Sequence, residues 1–218
     1  MNYLELCQAT HRTCQIDGDN VVSVLNQTGM NQRVVEWVNR AYEDIQKHRT
    51  DWKFRQELAS VAVVPGQWEI TNLRTLLEYL DKSTVTAEYS ASDIQRLRVM
   101  EYDVFYDKFQ SQVRTNGRPS YITVANNWDL YIDPIPTEAL TLKFWYTKTV
   151  DTMTANADIP IIRNAHHETI MWKATMYYAE EQEAEGIYQT ASVNYRNDLN
   201  RMELDLRPEV IVRIRPLA

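Results

Sequence analysis

The chain has 218 residues, of which 44% are hydrophobic and 24% charged. This length and composition allow a sizeable core, in one large domain or two small ones, and exclude a disordered acidic tail. Acidic residues outnumber basic ones by 30 to 23, and the net charge of −7 argues against a sequence-specific DNA binder, which needs a basic face.

The first two predicted elements are helices. Asn2, followed three residues later by Glu5, resembles a capping box, and apolar side chains then recur at helical spacing. Cys7 and Cys14 are two helical turns, about 10 Å, apart, so we expect two reduced core residues and no disulfide. After a polar loop, a second helix is indicated by one apolar stripe, which consists of Val34, Trp37, Val38, Ala41 and Ile45.

From about Phe54 the hydrophobic period changes to two, which predicts strands. One strand is expected over residues 97–102, and a hairpin is expected between residues 119–125 and 128–133. The clearest strand has one apolar face, formed by Leu140, Leu142, Phe144 and Tyr146. Trp145 points the other way, so it is either an exposed contact or packed against the helices. Regular spacing, with prolines at the turns, suggests a small antiparallel sandwich or barrel.

Helical spacing returns after Pro160 in two successive helices, the second of which ends before Pro208. Residues 166–204 hold seven acidic and three basic residues, so we expect an acidic surface on this helix pair. The tail that follows alternates apolar and basic side chains and has no evident partner inside the chain. We therefore interpret residues 207–218 as an extended arm that docks on a partner.

These elements predict an α+β fold. Residues 1–53 and 151–206 are expected to form a helical bundle from both ends of the chain, with Trp37 and Ala174 in its core. Residues 54–150 are expected to form an inserted, antiparallel β-rich domain that resembles a sandwich or barrel. Residues 207–218 are expected to form an extended C-terminal arm.

Catalytic and metal-binding patterns are incomplete in this sequence. His166 and His167 begin a metalloprotease-like pattern, but Met171 stands where the second metal-binding histidine is required. Asp129 and Asp133 could be drawn as a glycosidase pair, although carboxylate pairs arise by chance in a chain with 30 acidic residues. The sequence has no phosphate loop, dinucleotide fingerprint or nucleophile elbow. We therefore expect no catalytic residue, no metal and no cofactor.

Seven stretches of the sequence form a pattern through their order and spacing. They are 2–7 (NYLELC), 35–46 (VEWVNRAYEDIQ), 51–54 (DWKF), 117–121 (GRPSY), 130–136 (LYIDPIP), 158–167 (DIPIIRNAHH) and 174–179 (ATMYYA). Together they resemble the head-to-tail adaptor, or connector, proteins of tailed bacteriophages, over nearly the full length of the chain.

The resemblance implies a structural protein of the virion neck, between capsid portal and tail, that is assembled in the host cytoplasm. Such adaptors form a homo-oligomeric ring, a dodecamer, that binds the portal protein, extends the DNA channel and receives tail or nozzle proteins. Genomic DNA would pass through the lumen without sequence-specific binding, because an acidic wall repels phosphates. The arm is expected to contact the portal or a neighbouring subunit through Arg207, Val210, Val212, Arg213, Ile214 and Arg215.

Two other functions stay open from the sequence alone. The apolar stripe between Tyr188 and Met202 resembles half of a helical-hairpin repeat, which allows a cytoplasmic helical scaffold or binding module. Solenoids, however, need about three repeats. The other alternative is a glycan-acting enzyme that uses the carboxylates of the β-rich domain. No membrane partner is expected, because every apolar run is far shorter than the ~20 residues that span a bilayer.

Overall fold

A computed structural model describes residues 1–71, 73 and 77–206. The chain divides into two compact units. The helical unit comprises Met1–Arg55 and the described residues from Val150 onward, and the β unit comprises Gln56–Thr149. The predicted α+β fold class is thereby confirmed.

Five α-helices lie in the part of the chain that the structure describes. They are α1 (Tyr3–Thr13), α2 (Gly29–His48), α3 (Tyr102–Phe105), α4 (His167–Glu181) and α5 (Glu185–Leu206). Short 3-10 turns precede the first strand and α4, at Lys53–Arg55 and Asn164–His166. All helices except α3 belong to the helical unit.

Helix α1 begins with the predicted capping box. The Glu5 amide donates to Asn2 Oδ1 at 2.8 Å, and the Asn2 amide donates to Glu5 Oε2 at 2.9 Å. Two further amides of the first turn, those of Tyr3 and Leu4, donate to backbone carbonyls of the loop at residues 156–158. The amides that a helix leaves unpaired at its N-terminus are thus satisfied by the cap and by this loop.

The core of the helical unit lies where the apolar stripes of its helices meet. The predicted stripe of α2 is buried, and Ala174 of α4 is fully buried within the same cluster, as predicted for Trp37 and Ala174. Cys7 and Cys14 are free and buried, which confirms the expectation of two reduced core cysteines. The stripe of α5 packs on this core through buried Met202 and Leu206.

The β unit contains short strands in two larger sheets. The strands are β1 (Gln56–Val63), β2 (Glu69–Ile70), β3 (Leu77–Leu80), β4 (Thr86–Ser90), β5 (Asp93–Arg96), β6 (Arg98–Met100), β7 (Asn116–Gly117), β8 (Tyr121–Val124), β9 (Leu130–Asp133), β10 (Ile135–Pro136) and β11 (Leu140–Lys148). One sheet has the order β1-β11-β4-β5, with β3 also paired to β11, and the other has the order β2-β9-β8-β6.

The inner faces of the two sheets share one apolar core, as in a sandwich. The barrel interpretation is wrong, because no sheet closes: among the described strands, β1 pairs only with β11 and β5 only with β4. Two strand pairs, β6 with β8 and β10 with β7, run parallel, which the alternation of side chains does not predict.

The predicted hairpin and the predicted apolar strand are both confirmed. Strands β8 and β9 pair antiparallel around residues 125–129. In β11 the four predicted inward side chains are buried, whereas Trp145 is 46% exposed, which decides between the two interpretations of that residue.

The strand predicted over residues 97–102 is partly wrong. The Leu97 amide donates to Val85 in the first sheet, and the next amide, that of Arg98, donates to Ser120 beside the second sheet. The chain therefore passes from one sheet to the other at this point, and the strand ends at Met100. Glu101 is the N-cap of α3 and not a strand residue.

Candidate interaction surfaces

The last turn of α5 is acidic, and basic side chains from elsewhere in the helical unit hold it. Asp205 accepts a hydrogen bond from Arg163 at 2.6 Å and lies 3.0 Å from His166 Nε2. Glu203 lies 3.2 Å from Nε2 of His48, at the end of α2. Acidic groups are unfavourable at a helix C-terminus, where the carbonyl groups carry partial negative charge. The positive charge of Arg163 and the contacts with the two histidines offset this cost.

The same contacts lower the pKa of Asp205. The hydrogen bond with His166, together with the charge of Arg163, holds the pKa of this carboxyl below its ordinary value. Asp205 is therefore ionised at neutral pH, and the helix end immediately before the predicted arm is fixed to α2 and to the turn before α4. The predicted contact residues of the arm lie outside the described residues: Arg207, Val210, Val212, Arg213, Ile214 and Arg215.

An acidic corner lies between α4 and α5. An open depression of about 330 Å³ is lined there by Ala179, Glu180, Glu183, Glu185 and Tyr188. The adjacent Glu181 forms an ion pair with Arg33 of α2. Residues 150–206 hold ten acidic and four basic residues, so the acidity of the helical unit is concentrated in this part of the chain. Such a surface repels nucleic-acid phosphates and attracts basic side chains.

The outer face of the five-stranded sheet carries exposed apolar side chains. Trp145 of β11 lies directly opposite Leu58 of β1, which is also 46% exposed. Tyr79 of β3, 57% exposed, pairs with Thr147 and so stands on the same face. Tryptophan and tyrosine are enriched at the energetic centres of protein interfaces. The alternation in β11 identified Trp145, but β1 is apolar on both faces, so the sequence could not assign Leu58 to the outside.

The two carboxylates of the suggested glycosidase pair have different local partners. Asp129 lies in the hairpin turn and accepts a hydrogen bond from Asn127, and Asp133 ends β9. Asp133 is buried and forms an ion pair with Arg114 at 3.3 Å, whose guanidinium lies over the Trp68 ring.

The histidines of the incomplete metal pattern have structural contacts. His167 is buried, with Nε2 2.8 Å from the Ile162 carbonyl oxygen and Nδ1 2.9 Å from the Met1 nitrogen. Burial holds the pKa of His167 below its ordinary value. Across the described ranges no group of three or more His, Cys, Asp or Glu side chains could hold a metal ion, and no described helix is long and apolar enough to cross a membrane.

The comparison with protein families matches this chain over residues 1–215 to a family described as SU10 adaptor protein. The chain belongs to the SU10 adaptor protein family. The match includes residues 207–215 of the predicted arm. No curated protein matches the sequence.

Membership of this bacteriophage family makes the chain a structural adaptor of the virion neck, acting between head and tail. It confirms the resemblance that the seven stretches indicated. A structural family also favours a protein without catalysis over the glycan-acting alternative. As an adaptor, the chain has other structural proteins of the phage as its partners.

Proposed function

We propose that this adaptor forms a homo-oligomeric ring, a dodecamer, which binds the portal protein and continues the channel for genomic DNA. On its far side the ring provides the attachment site for tail or nozzle proteins. The chain acts without catalysis or cofactor, and it assembles in the host cytoplasm before it becomes part of the virion neck. Membership of the SU10 adaptor family supports the location of this role.

The fixed end of α5 is the observation that carries the proposal. Asp205 and Glu203 bind three basic side chains from α2 and from the turn before α4. The last turn of α5 is therefore held by contacts with two other elements of the helical unit, and the proposed arm follows directly from this fixed turn. The alternating sequence of residues 207–218 then suits addition to a strand or groove of the portal or of a neighbouring subunit.

The charge of the chain supports passage of DNA without binding. In the helical unit, up to Leu206, acidic residues outnumber basic ones by 17 to 11. A channel wall with this balance repels the phosphates, so the duplex slides instead of being held. The arm has the opposite balance, three arginines against one glutamate, which suits docking on an acidic partner surface.

Removal of residues 207–218 tests the proposal. We expect the truncated chain to keep its Tm, because the apolar side chains of α1, α2, α4 and α5 already pack against one another, but to lose co-sedimentation with the portal protein. The double variant Arg213→Glu with Arg215→Glu should weaken portal binding in the same way. A matched control reverses two exposed arginines of α5, Arg196→Glu with Arg201→Glu, and should bind normally. Undiminished binding of the truncated chain would refute the arm, and a collapsed Tm would assign residues 207–218 to the core.

A further inference from the structure

In the five-stranded sheet the outer edges of β1 and β5 have no neighbouring strand among the described residues, and we infer that these two edges join copies of this chain. In this arrangement β1 of one copy pairs with β5 of the next, so that the sheet continues from subunit to subunit. The inference rests on the proposed ring and assigns one of its subunit contacts. A contact between two different edges is heterologous, which is the type of contact that closes into rings.

Strand β1 is an unprotected edge. It runs for eight residues beside β11 without a shift in register, and it contains neither lysine nor proline. Natural edge strands are usually blunted by such residues, by bulges or by a covering element, because unpaired backbone groups attract another strand. Among the described strands β1 has no second neighbour. An eight-residue edge of this kind is suited to pairing with a partner strand.

The backbone contacts of β11 show which groups of β1 point to the free side. The Trp145 amide donates to Thr84 Oγ1 at 3.0 Å, and the Trp145 carbonyl accepts from the Asp81 amide at 3.0 Å. The backbone groups of Trp145 therefore point away from β1. In an antiparallel pair the residue opposite points away as well, so Leu58 and, by alternation, Ser60 and Ala62 direct their backbone groups to the free edge.

Strand β5 presents its backbone in the matching way. The Leu97 amide donates to the Val85 carbonyl at 3.0 Å, which directs the backbone of Leu97 towards β4. By alternation Gln95 also faces β4, whereas Ile94 and Arg96 direct their amide and carbonyl groups to the free edge. Both edges therefore offer alternate residues with free donors and acceptors.

The two edges are in register with each other across the sheet. One row of paired residues runs Ala62, Thr141, Glu88, Ile94, and the next runs Ser60, Lys143, Thr86, Arg96. Because each row crosses an even number of antiparallel strands, β5 of a neighbouring copy meets β1 antiparallel and without a shift. Ile94 of that copy then faces Ala62, and Arg96 faces Ser60. A one-residue slip would instead turn every side chain to the other face.

The side chains at this junction are compatible. Ile94 is 54% exposed on the outer face and would be covered beside the small side chains of Ala62 and Ser60. The one charged residue of β1 is Glu57, so Arg96 of the neighbour meets no like charge from that strand. β5 of a second copy matches β1 in strand direction, in residue register and in the face to which its side chains point. This triple match favours a second copy over residues 207–218 as the occupant of the edge.

Cysteine pairs test the junction directly. In a chain that carries both Ala62→Cys and Ile94→Cys, oxidation should link subunits into a ladder of covalent oligomers, because the two edges lie side by side. Each single variant is the control and should give no ladder. The native Cys7 and Cys14 are buried and do not compete. Absence of a ladder, in solution and on the portal protein, overturns the inference.

Proline variants test the same junction without a cross-link. Ser60→Pro removes a free amide of β1 and Ile94→Pro a free amide of β5, and edge positions tolerate proline because these amides are not in the ladder. Ser60→Ala and Ile94→Val are the matched controls. We expect both controls to assemble in sedimentation velocity and each proline variant to stay monomeric. An equal mixture of the two proline variants should give dimers and nothing larger, since one intact junction remains.

The outcomes separate this inference from the proposed function. A wild-type chain that is monomeric at about 100 µM, where an interface of micromolar Kd is occupied, and whose cysteine variant gives no ladder on the portal, overturns the junction even if the chain co-sediments with the portal. Loss of assembly in Ser60→Pro with normal assembly of Ile94→Pro also overturns it, because β1 would then bind something other than β5. Normal assembly without portal binding supports the junction and refutes the docking function instead.

Discussion

Asp158 orders the loop that covers the start of α1. Its carboxylate accepts the amides of Thr154 and Ala155, both at 2.7 Å, and its backbone carbonyl accepts the Tyr3 amide at 2.8 Å. The hydrogen bonds from these two amides hold the pKa of Asp158 below its ordinary value. One half-buried residue thus links a loop near residue 156 to the first turn of α1.

The variant Asp158→Asn should unfold more easily at neutral pH, because an amide oxygen accepts these two hydrogen bonds less strongly than a carboxylate. The folded-state pKa lies below the unfolded one, so this stabilisation is present above about pH 4 and is lost as the pH falls through the folded-state value. The difference in free energy of unfolding between variant and wild type should therefore shrink towards pH 2–3. Urea unfolding at both pH values measures it, with Asp17→Asn, an exposed loop residue, as the control.

For single residues, the sequence predicted correctly those features that depend only on neighbours a few positions away in the chain. The capping box of Asn2 and Glu5 and the outward position of Trp145 follow from spacing within a few residues. The burial of Asp133 does not, because its partner Arg114 and the ring of Trp68 come from other parts of the β unit. A carboxylate that looks catalytic in the sequence is a structural ion pair in the fold.

Helix α5 owes the position of its last turn to other elements. The turn contains acidic residues and no base of its own, so its stability depends on His48, Arg163 and His166. Strand boundaries depend on distant contacts in a similar way. Residues 97–102 alternate as one strand does, but the Leu97 amide bonds to the first sheet and the Arg98 amide bonds beside the second. No local pattern indicates that change.

Asp205→Asn should loosen the end of α5 without unfolding the helical unit. The variant loses the charge that binds Arg163 and His166, while the apolar contacts of Met202 and Leu206 remain. We expect faster amide hydrogen exchange over the last turn of α5 and weaker portal binding, with unchanged exchange in α2. Asp198→Asn, which removes the exposed pair with Arg201 within the helix, is the control. Equal amide exchange over this turn in both variants would show that the contacts of Asp205 do not hold the end of α5.

The molecule has two hydrophobic cores, one in the helical unit and one in the β unit. The hydrophobic period predicted the α+β class, because it changes from 3.6 to two and back along the chain. It could not predict that the two sheets stay open, or that β6 and β8 run parallel, since these features depend on pairing between strands far apart in sequence. The free edges of β1 and β5 likewise depend on pairing between distant strands, so the sequence could not predict them.

A charge placed in the core of the helical unit should lower the unfolding temperature of that unit and leave that of the β unit unchanged. Ala174 is fully buried in the helical unit, so Ala174→Arg buries an unpaired charge and should cost roughly 3–5 kcal/mol. We expect calorimetry to resolve two transitions, of which the variant lowers only that of the helical unit. Asn197→Arg, on the exposed side of α5, should leave both in place. A single transition that shifts as a whole would show that the units do not unfold as separate domains.

The division of the helical unit between the two ends of the chain also determines an order of events on the ribosome. Helices α1 and α2 are synthesised first, but the α4 and α5 surfaces that cover them follow roughly 120 residues after α2. At 5–20 residues per second, the stripe that contains Trp37 waits roughly 6–24 seconds for its partners. The β unit can close as soon as β11 emerges. A nascent chain of this adaptor therefore presents an apolar helix pair to chaperones while its inserted unit is already folded.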